Sequence, residues 1–168
     1  MNTEVFVDKI GVYGIDECIF AAKFTREGPL CGWKWSNELF DTMFKGNHSP
    51  LRLIVFEIQM KIPCYISNML CRHSIGVNHY VKGSRNDKIN GDYGNETRDQ
   101  PTEHLMYVNL PELVHILSKR IQPECHQAMI DLCYAIIEQL KELKTFEDKR
   151  YGYIAEKIIN KVEYGEDE

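Results

Sequence analysis

The chain has 168 residues, 43% of them hydrophobic and 27% charged, a composition suited to one globular domain with a buried core. Its net charge of −5 argues against general affinity for nucleic acid, whose binders need a basic face to displace counterions. The longest apolar runs, Leu53 to Phe56 and Tyr134 to Ile137, fall far short of the ~20 residues that span a membrane. The N-terminus lacks the basic flank and apolar run of a secretion signal, so a cytoplasmic protein is expected.

In chain order, "VFVDKIGVYG" alternates like a strand and closes on a glycine turn. Ser36 is placed to cap a helix through about Lys45, with Gly46 as its stop. "LRLIVFEIQMKIP" puts Ile54, Phe56, Ile58 and Met60 on one face and ends at Pro63, which predicts a strand. From Pro63, "CYISNMLCRH" predicts a short helix that ends on Arg72 and His73, and Gly76 then releases the chain into a polar loop. Residues 86–104 are turn-rich and too polar for a core.

"NLPE" opens the next helix as a capping box, with Asn109 as N-cap and Glu112 three residues on. That helix runs from Leu110 to about Ile121. After Pro123, a final long helix repeats Met129, Leu132, Cys133, Ile136 and Leu140 at helical spacing. The acidic tail from about residue 163 is expected to fray. Strands first and helices last predict a single α+β domain over residues 1–168, a mostly antiparallel sheet packed against long helices.

The six cysteines form no CxxC pair and the six histidines no HExxH or zinc-finger spacing, so the thiols are read as reduced and mostly buried, and no metal site is expected. Positive charge is local. Lys61 to Asn90 carries five basic residues and one acid, which suits a small anionic ligand better than a polymer. Within it, "CRHSIGVNHYVKGSR" is read either as a solvated loop or as a glycine-bent grip on an anion.

At 100° per residue, Leu110, Leu113, Ile116, Leu117 and Ile121 form one apolar arc, and Arg120 falls inside it. A guanidinium cannot be buried unpaired. Either its stem lines the core while the head snorkels or pairs with a structural carboxylate, or it faces a cleft that holds a phosphate or an enolate-like oxygen. His115 lies on the opposite, solvent-side face with Glu112 and Lys119.

These blocks resemble the flavin-dependent thymidylate synthases. The family signature, an Arg-His-Arg followed by a Ser, an Asn-Glu and a Ser-x-Arg, is matched by Arg72-His73-Ser74, Asn78-His79 and Gly83-Ser84-Arg85. "AAKF" at 21–24, "NHSPLRLIVFEIQMKIPCYIS" before the signature and "VNLPELVHILSKRIQPECHQAMIDLCYAI" after it resemble further family blocks in the same order.

The resemblance implies FAD-dependent transfer of a one-carbon unit from methylenetetrahydrofolate to C5 of a pyrimidine deoxynucleotide, most simply dUMP to dTMP. It also implies NADPH as reductant of the flavin, and a homotetramer with sites between subunits. By position in the family motifs, Arg120, Arg85, Ser84 and Arg98 would hold the nucleotide, with Arg120 also catalytic. Arg72, His73, Ser74, Asn78, Asn109 and His115 would contact FAD.

The chain also departs from the pattern. Ser74 stands where the family has arginine, His79 where it has glutamate, Gly83 where it has the substrate serine and Pro111 where it has another arginine. Such a short, divergent member is the kind expected of a bacteriophage. The substitutions leave two alternatives open: a variant making a hydroxymethylated nucleotide, and a nucleotide-binding or interaction protein that has lost flavin chemistry.

Overall fold

The computed structural model describes residues 5–24, 34–82 and 100–165. Among them, four strands form one antiparallel sheet in the order β1-β2-β4-β3: β1 Phe6–Tyr13, β2 Val55–Pro63, β3 Val77–Val81 and β4 Pro101–Asn109. The helices are α1 Ile15–Phe24, α2 Asn37–Lys45, α3 Cys64–Leu70, α4 Leu110–Arg120, α5 Gln127–Glu142 and α6 Lys149–Tyr164. The α+β expectation holds.

Period-two alternation explains the sheet. Phe56, Ile58, Met60 and Ile62 of β2 are buried on one face. Opposite them across the β2–β4 ladder stand Val108, Met106, His104 and Thr102. Helices α3 and α4 pack on these two strands and α5 packs on β1, so the core lies between the sheet and the helices. The α5 positions Met129, Leu132, Cys133, Ile136 and Leu140 are all buried there, as their spacing predicts.

Local chemistry sets the ends. Ser36 accepts a hydrogen bond from the Leu39 amide at 3.1 Å and Asp148 accepts one from Arg150 at 3.0 Å. After Gly46, which keeps a right-handed φ of −83°, it is Asn47 that turns left-handed, at φ 47°. Gly14 closes β1 at φ +82°, where a Cβ would lie 1.8 Å from the Leu53 carbonyl oxygen, so no other residue fits that corner.

Several sequence expectations need correction. The helix after Pro63 stops at Leu70, so Arg72 and His73 sit in the turn beyond it. The supposed polar loop is in part strand β3, and the polar residues from Pro101 onward are strand β4. A second long helix, α6, follows α5 and runs through Tyr164 to a left-handed cap at Gly165, so Glu163 and Tyr164 are helical rather than frayed. Of the described cysteines only Cys18 and Cys133 are buried; Cys64 and Cys125 are half-buried and Cys71 is exposed. Burial pushes the thiols of Cys18 and Cys133 up, to about 11 and about 12.

Candidate functional site

The site forms where the turn after α3 meets the start of α4. Within the turn, the His73 amide donates to the Leu70 carbonyl at 2.9 Å, and the Asn109 amide donates to the Gly76 carbonyl at 3.0 Å. Gly76 takes φ +71°, and a Cβ there would lie 2.2 Å from Asn109 Nδ2, so the approach of the two segments requires glycine. Asn109 caps α4 by accepting from the Glu112 amide at 3.0 Å. The reciprocal half of the capping box is not made. Glu112 turns its carboxylate to His73 instead.

His73 is gripped from both sides. Glu112 Oε1 lies 3.3 Å from His73 Nδ1, while Arg120 approaches His73 Nε2 with its Nε at 3.2 Å and an Nη at 3.0 Å. A guanidinium only donates and an ionised carboxylate only accepts. His73 is therefore the neutral tautomer with its proton on Nδ1, donating to Glu112 and accepting from Arg120. Burial lowers its pKa, and so does the Arg120 charge, against the opposing pull of Glu112. The side-chain partner of Arg120 among the described residues is this neutral imidazole, which leaves most of the cation's charge unbalanced. Among the described residues no carboxylate lies within ion-pair distance of Arg120.

A second histidine chain lies just inside. His79 Nε2 donates to the His73 backbone carbonyl at 2.8 Å, so His79 Nδ1 accepts, from His104 Nε2 at 2.9 Å. His104 Nδ1 then accepts from the Ser67 hydroxyl at 2.9 Å. Both Ser67 and His104 are buried, at 2% exposure each, and every polar atom in this relay is paired. Burial, with the adjoining His79 second, pushes the His104 imidazole down to about 4.

Of the residues named from the sequence, Arg120, His73 and Asn109 come together, and the exposed His115 ring stands 6.3 Å from that of His73. Arg72 and Ser74 flank His73 on the turn and are exposed. Asn78 is exposed on β3 and, by strand alternation, points to the sheet face opposite His79. Ser84, Arg85 and Arg98 lie outside the described residues.

Sequence reasoning missed Ser67 and His104 and gave Glu112 only a capping role. The alternation of His104, Met106 and Val108 carried a strand signal, masked by the polar residues ahead of it. A separate cleft of about 900 Å³ lies between α1 and the Trp35–Leu53–Arg150 surface, and neither the His73–Arg120 pair nor the His79–His104–Ser67 relay lines it. No helix among the described residues is long and apolar enough to cross a membrane.

The sequence matches no protein-family model and no curated protein. Solved structures are similar. One is the flavin-dependent thymidylate synthase of Helicobacter pylori complexed with FAD and dUMP, at TM-score 0.59 and 17% identity over 86% of this chain and 98% of that one. A second structure of the Helicobacter pylori enzyme with FAD and dUMP gives TM-score 0.59 and 16% identity over 87% and 98% of the two chains. At this identity the likeness is one of fold: the chain has the fold of the flavin-dependent thymidylate synthases.

Proposed function

We propose that this chain catalyses FAD-dependent transfer of a one-carbon unit from methylenetetrahydrofolate to C5 of a pyrimidine deoxynucleotide, most simply dUMP to dTMP. In this reading NADPH reduces the flavin and the sites form between subunits of a homotetramer. The observation that carries it is Arg120: a half-buried guanidinium, rooted in an apolar helix face, whose partner among the described residues is a neutral imidazole rather than a carboxylate. Such a group suits an anionic ligand oxygen. That the fold belongs to proteins solved with FAD and dUMP supports the same reading.

In this proposal Arg120, with Arg85, Ser84 and Arg98, holds the nucleotide. Arg120 supplies positive charge to a phosphate or to the ring oxygen that gains negative charge as C5 is alkylated. His73 aims the guanidinium through Nε2, and Glu112 keeps that nitrogen an acceptor by accepting the hydrogen bond of Nδ1–H, which holds the proton on Nδ1. Arg72, His73, Ser74, Asn78, Asn109 and His115 serve FAD, which when bound and reduced supplies the hydride. The exposed hydrogen-bonding groups of Arg72 and Ser74 beside His73 fit a polar cofactor edge.

A second reading, a nucleotide-binding protein without flavin chemistry, is favoured by His79. At the family's glutamate position, it spends both ring nitrogens inside the protein. Absorbance of the purified protein titrated with FAD separates the two: saturable flavin binding supports the enzyme, and a colourless protein that FAD does not saturate overturns it. If flavin binds, tritium release from C5-labelled dUMP with methylenetetrahydrofolate and NADPH tests the chemistry. Arg120→Ala should stay folded yet bind dUMP roughly ten- to a hundredfold more weakly, the worth of a hydrogen bond to a charged group. Unchanged affinity would make Arg120 a structural residue.

A further inference from the structure

His79 and His104 are 25 residues apart in sequence, yet their rings meet. The β3–β4 register sets Val81 opposite His104, which makes His79 the diagonal neighbour of His104 on the same sheet face. Cys71, at the C-cap of α3, closes on the pair from the turn. The Cys71 thiol and one ring nitrogen from each histidine lie within 4.8 Å of one another.

We propose that Cys71, His79 and His104 form a transition-metal site of the zinc class. One thiolate and two imidazoles are the borderline-to-soft donors that zinc favours, whereas magnesium and calcium prefer oxygen ligands. The facing nitrogens, His79 Nδ1 and His104 Nε2, now 2.9 Å apart, need open only to the roughly 3.3 Å that tetrahedral Zn–N bonds of 2.0–2.1 Å imply. Cys71, exposed on a turn, can rotate its thiol onto the ion. Three protein ligands leave a fourth position for water or a small ligand.

The supporting contacts are already built. His79 Nε2 donates to the His73 carbonyl and His104 Nδ1 meets the Ser67 hydroxyl, the outer contacts that orient metal-bound imidazoles. The proton balance is simple. Cys71 loses its thiol proton to solvent as the ion binds, and His104 moves its proton from Nε2 to Nδ1. Ser67, able both to donate and to accept, reverses its hydrogen bond. His79 is already in the required tautomer. The site is rooted in the same turn as the His73–Arg120 pair and stands whether or not the chain uses flavin.

The test is a cobalt titration of the full chain after chelator treatment, followed by competition with zinc. The expected result is one cobalt per chain, with tetrahedral visible bands, a near-ultraviolet thiolate-to-cobalt charge-transfer band, and displacement of both by zinc. Cys71→Ser should abolish the charge-transfer band, and His79→Ala should weaken binding at least about tenfold. Zinc should raise the melting temperature of the parent chain and not that of Cys71→Ser, a comparison made within each folded protein. A parent chain with no cobalt spectrum, or a charge-transfer band that survives in Cys71→Ser, overturns the site.

Discussion

The turn-and-strand region around His73 and the helical region around Phe40 both reach into the buried interior of the fold, but different forces hold them. Around Phe40 the contacts are rings: Trp35 at 5.1 Å between centroids, Phe44 stacked at 5.6 Å and Tyr153 edge-on at 6.0 Å. Its polar groups sit toward the rim. The Tyr153 hydroxyl donates to Asp41 at 2.8 Å, Lys157 pairs with Asp41 at 3.1 Å, and Arg150 pairs with Asp148 and Asp16. Around His73, by contrast, polar atoms run inward through His79 and His104 to Ser67. Packing depends on shape and area, which pH does not change. A relay of imidazoles depends on where each proton sits, so the same depth of burial makes it responsive to protonation and to ligands.

Removing Phe40, which is fully buried, should give the largest effect. Phe40→Ala is expected to cost about 3–5 kcal/mol, read as a lower denaturant midpoint with an unchanged slope. The loss should be the same at pH 5 and pH 7. If it depended on pH, the contrast between the two regions would fail.

Acid should act on the other region. The His104 imidazole, held down to about 4 by burial, is unprotonated in the fold across a range where an unfolded histidine, near 6.5, takes a proton. The unfolded chain then binds more protons. Stability is therefore complete above about pH 6.5 and declines as pH falls toward 4, by roughly 3 kcal/mol in all. The lowered pKa of His73 adds in the same sense. Denaturant unfolding across this range checks it, and His104→Gln should flatten the slope whatever its effect on stability at neutral pH. A slope unchanged in that variant would assign the acid sensitivity elsewhere.

Arg150→Ala should have the smallest effect. Its partners lie near the surface, so the expected cost is at most about 1 kcal/mol at low salt and vanishes in concentrated salt. A loss of several kcal/mol that survives salt would mean that the helical end also rests on a built-in charge network.

The helices were legible because their signals are local. Ser36 before α2, Asn109 and Pro111 at the start of α4, and the apolar spacing of α5 all act within a few residues. The anomaly of Arg120 in an apolar arc could also be read directly, since helical periodicity alone places it there. Its partner could not, because His73 is 47 residues away and the two meet only once α4 packs beside the turn after α3. The same holds for Glu112, whose spacing describes a capping box until His73 is close enough to compete for its carboxylate.

Composition, periodicity and capping residues thus settle the α+β class, the strand of Val55–Pro63 and the helix that carries Arg120. Strand pairing settles the rest. The 25-residue span between His79 and His104 carries no spacing signal, and their meeting follows from the register of β3 on β4. That register is a long-range choice, made by burying Val77, Met106 and Val108 on one face, and the two histidines are carried to the same place by it. For this reason "CRHSIGVNHYVKGSR" reads as a loop in one dimension, although the fold makes part of it a strand that joins a buried relay to a guanidinium.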